Sequence, residues 1–513
     1  MKRPNIVLFL AEDLDFEGLN CYNQNLTGYT GLIREGNSYA SKHQTPTGRL
    51  LTPTIDSLAG DGLLFTNYYC TSPICTPARY TVMTGRYPER SPEHTEKFGD
   101  GPSTVWFNSP VCPGESLLPK ALKTVGYHTG IFGKWHNFPE PARDELDRLY
   151  HSFPEGASWD DPHVQKSIAD GYQYAVNYLK NNDYGWDVVD RIYYENPEPY
   201  LPEILSSHNI DWVIEGADSY IRSQAGQKDP FFAYIAVSIP HSRYSGQRFR
   251  ESNPLSSPAG LLEHAPTVLP SREKIRRRIE AAGMEESACE GLWLDEAVKA
   301  VIKAVNAIGA AEDTCIIFTT DHPTAGKGSC HLGRIPLIIH WPHHIEGGEI
   351  RTQLLAETDL APTILDLAGC PCPPEMKLDG QSFSSAASSC STQLRQNVLI
   401  ENVNSRAIVS GNYKYIANRL PGRATDEKEL CGLVGWLAYQ IGTRRTMWWN
   451  LDQIFPSYFD ADELYNLESD PLEQHNLISD PKEQENARRL RRELAEELRK
   501  LPHPFGEFSK SLE

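Results

Sequence analysis

The segment 75–79, Cys-Thr-Pro-Ala-Arg, places a thiol, a proline and a guanidinium within about one helical turn. Pro77 suits the first turn of a helix, because its missing N–H is not needed there, and Gly85 suits the helix end. Cys75 is therefore predicted just before a helix N-terminus, where free N–H groups and the helix dipole favour an anion. Arg79 would present a fork-shaped cation to that anion. The alternative is a buried cysteine before an ordinary helix.

Polar groups also follow four apolar runs that have the composition of buried strands. The run Asn5–Ala11 is followed by Glu12-Asp13, and the run Gly130–Phe132 by Gly133-Lys134-Trp135-His136. The run Phe231–Ile239 is followed by Pro240-His241, and the run Cys315–Thr320 by Asp321-His322. Continuous apolar runs suit parallel strands that are buried on both faces. Because ligands bind outside the carboxyl ends of strands in open α/β sheets, we expect the four polar groups to converge there.

Glu12, Asp13, Asp321 and His322 predict a site for a hard cation. Three carboxylates around one point repel each other strongly unless a cation lies among them. Oxygen-rich ligation suits Ca²⁺ or Mg²⁺. For each acidic pair taken singly, an acid that caps a helix after a strand is the alternative.

The twelve residues 75–86, CTPARYTVMTGR, resemble the signature of the type I sulfatase family in the alkaline phosphatase superfamily, and the resemblance covers nearly the whole chain. It implies that a separate formylglycine-generating enzyme oxidises Cys75 to Cα-formylglycine, whose hydrated aldehyde is the nucleophile. Ala78 stands where Ser is commoner. The Cys, Pro and Arg that define the motif are intact, so we expect the modification to occur.

The resemblance also gives roles to residues at the other strand ends. In the family's Gly-Lys-Trp-His segment, the Lys, here Lys134, contacts the sulfate and the nucleophile. The His, here His136, removes a proton from the second hydroxyl of the diol. His241 resembles a histidine that binds sulfate and protonates the leaving oxygen, although Arg243 replaces the usual proline two residues later.

The segment 321–339 departs most from the family pattern. Pro323 replaces a glycine, and the following loop is short. Lys327 precedes the Arg-Ile-Pro-Leu segment 334–337, and this order makes it the counterpart of the family's substrate lysine. The alternative is a flexible lysine on the surface.

The resemblance refines the metal prediction. An Asp-Asp pair after the first strand and an Asp-Asn or Asp-His pair after a later strand usually hold calcium in the family. The corresponding residues here are Glu12, which stands where Asp is typical, Asp13, Asp321 and His322. We add Cys75 to this metal set.

Helical segments must lie between the strands that position these residues. The segments 117–124, 210–223 and 293–308 have that character, which predicts a mostly parallel sheet covered by helices. A length of 513 residues favours two domains. We expect a catalytic α/β domain over residues 1–385, and a smaller C-terminal α+β subdomain over 396–513 with an antiparallel sheet and a terminal helix.

Composition excludes some classes of partner. The net charge of −19 argues against nucleic acid, whose phosphates need a basic surface, but a local cationic pocket can still bind a small anion.

No apolar run reaches the ~18–20 residues that span a bilayer. The run after Met1–Pro4 is too short for a signal peptide. We therefore expect a cytoplasmic protein, or a periplasmic or secreted one if a leader was removed.

These observations predict a sulfuric ester hydrolase that acts on an alkyl, aryl or carbohydrate sulfate. The alternatives are a phosphoester or phosphonate monoester hydrolase of the same superfamily and a binding homologue that has lost catalysis. The Arg/Trp-rich segment 444–449 is a candidate sugar subsite, with ordinary packing as its alternative.

Overall fold

Two sheets organise the chain. The computed structural model describes residues 3–23, 50–94, 105, 108–154, 156–198, 200–241, 247–342, 344–385, 394–419, 439–440, 445–446 and 451–509. An eight-stranded mixed sheet forms the larger part, and a four-stranded antiparallel sheet forms the smaller part.

The strands are short to medium in length and are numbered in chain order. They are β1 (Asn5–Ala11), β2 (Leu63–Phe65), β3 (Tyr68–Tyr69), β4 (His128–Lys134), β5 (Val188–Tyr193), β6 (Phe231–Ala236), β7 (Thr314–Thr320), β8 (Leu337–His340), β9 (Glu349–Arg351), β10 (Leu355–Ala356), β11 (Asn397–Asn402), β12 (Ser405–Ser410), β13 (Tyr413–Asn418), β14 (Tyr439–Gln440), β15 (Arg445–Thr446) and β16 (Asp462–Asn466).

The helices are numbered in the same way. They are α1 (Asn20–Asn23), α2 (Pro53–Gly60), α3 (Cys75–Thr84), α4 (Leu118–Lys123), α5 (Glu140–Tyr150), α6 (Pro162–Asn181), α7 (Ile210–Ser223), α8 (Gln247–Arg250), α9 (Arg272–Ala281), α10 (Cys289–Ala307), α11 (Leu360–Leu367), α12 (Leu451–Ile454) and α13 (Gln484–Leu498). Short 3₁₀ helices cover Phe16–Gly18, Pro88–Arg90, Glu286–Ala288, Ala311–Asp313, Glu357–Asp359 and Gly506–Ser509.

The large sheet has the strand order β5-β4-β6-β1-β7-β8-β2-β9. β1 pairs in parallel with β6 and β7, and β4 pairs in parallel with β5 and β6. β8 runs antiparallel to both of its neighbours. The predicted α/β fold with a mostly parallel sheet and flanking helices is confirmed.

Alternate residues of β1 explain why its sequence is apolar throughout. Leu8 packs in the core on one face of the sheet, and Phe9 packs in the core on the other. Helices cover both faces of the sheet, so after Asn5 the odd-numbered and the even-numbered residues of β1 are both buried and both have to be apolar.

The register of the parallel strands brings their carboxyl ends together. Ala11 pairs with Thr320, and both Leu10 and Gly133 pair with Ala236. The residues that follow β1, β4, β6 and β7 therefore begin at the same edge of the sheet.

The smaller sheet has the order β11-β12-β13-β16, and α13 packs against it. This arrangement confirms the predicted antiparallel sheet with a terminal helix. Most predicted elements differ from the observed ones only at their ends: α10 begins four residues before the predicted 293, and β6 ends at Ala236 rather than 239.

Two predicted features fall partly or wholly outside the described residues. Arg243 lies outside them, as do residues 444 and 447–449 of the candidate sugar subsite. Across the described ranges, no helix combines the length and apolar composition that crossing a bilayer requires.

Candidate active site

Helix α3 places Cys75 beside the carboxyl ends of the parallel strands, at the edge of the large sheet where β1, β4, β6 and β7 end. The extended Ile74 precedes the helix, and Gly85 ends it with a φ of 66°. Cys75 is the first helical residue rather than the residue before the helix, and only 2% of its surface is exposed. All ten residues of α3 are buried, so the helix is packed against other parts of the chain on every side.

Hydrogen bonds join the ends of β1 and β7. The Asp13 N–H donates to Asp321 Oδ1 at 3.1 Å, and the Leu14 N–H donates to the Thr320 hydroxyl at 3.2 Å. Asp13 has a φ of 52°, which a non-glycine residue adopts only when its surroundings impose it. The acidic pairs predicted from separate parts of the sequence therefore form one unit.

The donor atoms of a cation site lie together at this junction. One ligand atom from each of Asp13, Cys75, Asp321 and His322 falls within 4.8 Å of the others, and the same holds for Glu12, Asp13, Cys75 and His241. Their carboxylate, imidazole and cysteine groups include the oxygen donors that Ca²⁺ and Mg²⁺ prefer.

The surroundings of His322 fit a shared cation. Its Nδ1 lies 2.9 Å from the Pro323 carbonyl oxygen, which can only accept a hydrogen bond. In a neutral ring this contact leaves a lone pair on Nε2, which faces Asp13 Oδ1 at 3.0 Å. A lone pair that faces a carboxylate oxygen is stabilised when a cation lies between them, so the donor set fits a metal ion.

Arg79 connects three parts of the edge. Its guanidinium donates to Asp321 Oδ2 at 3.2 Å, to Glu12 Oε2 at 2.9 Å and to the Lys134 carbonyl at 3.0 Å. The side chain is fully buried, and the carboxylates beside it outweigh the effect of burial and raise its pKa. Arg79 therefore stays charged and holds the acids in place.

Lys134 follows a glycine that the sheet requires. A Cβ at Gly133 would lie 1.9 Å from the Ala236 carbonyl oxygen, and the φ of Gly133 is 90°. The Lys134 ammonium donates to Glu12 and, at 2.9 Å, to Asn196 Oδ1. Burial alone would raise the pKa of Glu12, but Lys134 and Arg79 outweigh it and lower that pKa.

Lys327 lies in the centre of the site. Its ammonium is 2.7 Å from Asp13 Oδ2, 3.3 Å from His241 Nε2 and 3.6 Å from Cys75 Sγ. The side chain is only 3% exposed, so the alternative of a flexible surface lysine is wrong. The short loop after β7 brings Lys327 to the cysteine.

The two predicted histidines are held in the neutral form. Burial and then Lys327 lower the pKa of His241, whose Nε2 also faces the Asn196 amide at 3.0 Å. Burial and then Lys134 lower the pKa of His136, which has a φ of 64°. Within the described residues, His136 Nδ1 is buried without a hydrogen-bond partner, as suits a group that can accept a proton.

The charges at the edge balance. Three buried carboxylates, Glu12, Asp13 and Asp321, face three buried cations, Arg79, Lys134 and Lys327. A divalent cation would leave a surplus of positive charge, which an anionic ligand would offset. Burial raises the pKa of the Cys75 thiol, although Lys327 and Lys134 act in the opposite direction, so the unmodified thiol stays protonated at neutral pH.

Asn196 is a site residue that the sequence did not reveal. It joins Lys134 to His241 through the two ends of its amide. The available signal was the segment 188–194, rich in β-branched and aromatic residues but interrupted by Asp190 and Arg191, within which β5 forms and ends at the same edge of the sheet.

Fold and site together define an α/β protein in which buried carboxylates and buried cations surround one cysteine. The chain belongs to the sulfatase family, because the family model described as Sulfatase matches residues 4–370. A second model, described as N-sulphoglucosamine sulphohydrolase, C-terminal, matches residues 331–413.

Curated relatives share about a quarter of their aligned residues with the chain. The N-acetylgalactosamine-6-sulfatase of Rattus norvegicus is 27% identical over 406 residues, which cover 74% of this chain and 64% of that protein. An ulvan-active sulfatase of Formosa agariphila is 25% identical, with 74% and 67% covered.

Solved structures share the fold. A protein from a glycosaminoglycan-metabolising locus of Bacteroides thetaiotaomicron superimposes with a TM-score of 0.60 at 19% identity, covering 98% of this chain and 100% of that one.

Proposed function

We propose that the chain is a sulfate-ester hydrolase whose substrate is a sulfated carbohydrate. The observation that carries the proposal is the position of Cys75, at the start of a buried helix, with Lys327 at 3.6 Å and His322 at 3.3 Å. Membership of the sulfatase family supports the reaction. The names of relatives that act on N-acetylgalactosamine-6-sulfate and ulvan support the substrate class.

The nucleophile in this proposal is Cα-formylglycine, made from Cys75 by a formylglycine-generating enzyme. One hydroxyl of the hydrated aldehyde attacks sulfur and displaces the alcohol. The second hydroxyl then loses its proton to His136, which expels sulfate and restores the aldehyde. The neutral state and the buried, unpartnered Nδ1 of His136 suit that task.

Arg79, Lys134 and Lys327 would stabilise the charge of the transferring group. All three cations are buried at the edge, where electrostatic stabilisation is stronger than in water. To protonate the leaving oxygen, His241 must first take up a proton, and the Lys327 ammonium at 3.3 Å from its Nε2 is the adjacent source. The alternative donor at this step is Lys327 itself.

Asp13, Asp321, His322, Glu12 and the modified Cys75 would hold a Ca²⁺ ion, with Mg²⁺ as the second candidate. When bound, such an ion polarises sulfate oxygens and favours ionisation of the nucleophile. Arg79 contacts both Glu12 and Asp321, so it keeps these two acids oriented toward the same point.

Mass spectrometry and matched substrates test the proposal. The chain should be coexpressed with a formylglycine-generating enzyme, and the Cys75 peptide examined for the aldehyde. Turnover should then be compared for an aryl sulfate, the matching phosphate monoester and diester, and a panel of sulfated sugars. We expect the aldehyde, with sulfates hydrolysed at least tenfold faster than phosphates.

The outcomes separate the candidates. Faster turnover of a phosphoester or phosphonate monoester would replace the sulfatase assignment with the other activity of the superfamily. An aldehyde-bearing protein that binds sulfated sugars but turns over none of the esters would be a binding homologue. The Cys75→Ala variant serves as the background control in every assay.

A further inference from the structure

The loop that carries Lys327 lies between the two sheets. On the side of the large sheet, the Ala325 N–H donates to Asp15 Oδ1 at 2.9 Å and the Gly328 N–H donates to the Pro73 carbonyl at 2.9 Å. These bonds hold the loop against the end of β1 and the residues before α3. They fix one side of the loop only.

The smaller sheet holds the other side of the loop. The Asn402 amide, at the end of β11, donates to the Gly328 carbonyl at 2.7 Å. His331 Nε2 lies 2.8 Å from Glu463 Oε2 in β16, and its ring stacks on Phe455 with centroids 4.0 Å apart. The partners of the loop, Asn402, Phe455 and Glu463, belong to the C-terminal part of the chain, far from Lys327 in sequence.

A buried ion pair forms hydrogen bonds with both the N–H and the carbonyl group of Leu332. The Leu332 N–H donates to Glu473 Oε1 at 3.0 Å, and the Lys414 ammonium donates to the Leu332 carbonyl at 3.0 Å. Lys414 and Glu473 are themselves paired at 2.9 Å, with side chains 0% and 2% exposed. The pair therefore acts directly on the backbone of the loop.

Backbone geometry marks the same contact. Leu332 has a φ of 60° and Glu473 a φ of 56°, which are left-handed values that side chains with a Cβ rarely adopt. Such values persist only where the surroundings impose them. Two strained residues that hydrogen-bond to each other indicate a contact whose geometry is fixed on both sides.

We propose that Lys414 and Glu473 are positioning residues that set the place of Lys327 in the active site. The proposal rests on the proposed function, because it gives Lys327 a part in the reaction. Lys327 lies five residues before Leu332, and its ammonium must stay near both Asp13 and Cys75. Displacement of a charged group by about 1 Å costs up to 10²-fold in rate, so a loosened loop slows turnover without any loss of a substrate contact.

A double-mutant cycle tests the proposal. The variant Lys414→Met/Glu473→Met removes both contacts to Leu332 and leaves no unpaired buried charge. It should be combined with Lys327→Met, and kcat and kcat/KM measured for an aryl sulfate with rates normalised to aldehyde content. We expect the pair variant to lower kcat about tenfold in the parent and less than twofold in the Lys327→Met background.

A structural role alone would give a different result. General destabilisation lowers activity by the same factor in both backgrounds, so equal factors would overturn the proposal. Lys327→Met with parental kinetics would overturn both this proposal and the proposed role of Lys327. An inactive parent with a normal aldehyde content would instead contradict the proposed function.

Two further variants serve as a matched control and as a substitute for the pair variant. Arg419→Gln is a matched control, since Arg419 follows β13 and pairs with Asp462 and Glu507 rather than with the loop. It should keep kcat within twofold of the parent. If the pair variant does not fold, Lys414→Met/Glu473→Gln removes the bond to the Leu332 carbonyl, leaves no unpaired buried charge and is tested in the same cycle, with the same result required.

Discussion

Two groups of buried charges occur in this molecule, and they differ in what their members touch. The edge cluster consists of Glu12, Asp13, Arg79, Lys134, Asp321 and Lys327. The junction cluster, between the sheets, consists of Glu89, Glu401, Arg406, Lys414 and Glu473. In the edge cluster, Lys327 contacts Cys75 and His241. In the junction cluster, Arg406 and Lys414 donate to backbone carbonyls and to acids, and in the part of the chain that the structure describes neither contacts Cys75.

Protonation separates the two clusters as well. In the edge cluster, Lys134 and Arg79 outweigh burial and lower the pKa of Glu12. In the junction cluster, burial and then the neighbouring Glu89 raise the pKa of Glu401 despite the presence of Arg406. Buried charge is therefore not by itself a sign of chemistry, and the groups that it faces are more informative. Substitutions in the edge cluster should act on turnover directly. In the junction cluster, substitution of Arg406 should act on stability, whereas Lys414 and Glu473 should act on turnover only through the loop that carries Lys327.

The largest effect on turnover is expected at Cys75. Cys75→Ala removes the proposed nucleophile and should lower kcat by on the order of 10⁴-fold or more. The fold should persist, because one small buried side chain replaces another. Steady-state kinetics and thermal unfolding measure the two quantities. Activity within tenfold of the parent would remove the formylglycine assignment.

Asp321→Asn should have the next largest effect. It removes one negative charge from the proposed metal ligands, and its amide oxygen can still accept from the Asp13 N–H. We expect loss of bound Ca²⁺ or Mg²⁺ by elemental analysis, and turnover lower by roughly 10²-fold.

Asp56→Asn provides the matched control for that measurement. Asp56 accepts a hydrogen bond from the Cys21 N–H at 2.9 Å and belongs to α2. The control should keep the parental metal content. An Asp321→Asn protein with a full complement of metal would show that Asp321 is not a principal ligand.

Asn196→Ala should produce a smaller loss. The amide holds Lys134 and His241 in place but need not contact the reacting atoms. We expect kcat/KM to fall about threefold to thirtyfold, the range below that for a direct oxyanion donor. Because Asn196 is partly exposed, the melting temperature should change little. Parental kinetics would show that Lys134 and His241 keep their positions without the bridge.

Arg406→Met should change turnover least and stability most. Arg406 is fully buried and pairs with Glu89 at 3.1 Å, so its loss leaves an acid without its cation. Breaking a buried pair in this way costs about 3–5 kcal/mol of unfolding free energy. Denaturant unfolding and kcat per folded molecule, which should stay within threefold, check this. A large loss of kcat in fully folded protein would end the distinction between the clusters.

The sequence predicted the elements that carry the edge cluster. Apolar runs that end in polar pairs located β1, β6 and β7, because strands buried on both faces leave a continuous signal. The Cys-x-Pro-x-Arg pattern located α3, since proline and glycine mark helix ends locally. The resemblance supplied Lys327, and the structure shows it buried beside Cys75.

Contacts between distant segments could not be predicted in the same way. Asn196 lies in a loop whose local sequence carries no chemical pattern, and its function depends on two partners 62 and 45 residues away. The hold of Lys414 and Glu473 on Leu332 also depends on how the two sheets meet. Side chains of this kind have no spacing rule, because tertiary packing alone brings them together.

The burial of all ten residues of α3 has a consequence for how the protein matures. Only 2% of the surface of Cys75 is exposed in the folded chain, too little for another enzyme to bind it. If Cys75 is oxidised as proposed, the oxidation therefore has to precede closure of the fold over this segment. The fraction of molecules that carry the aldehyde would then depend on the rate of oxidation relative to the rate of folding. Molecules that fold before oxidation would keep the thiol, unfold like active molecules and yet be inactive, with one side chain that bears a sulfhydryl where the active form bears an aldehyde.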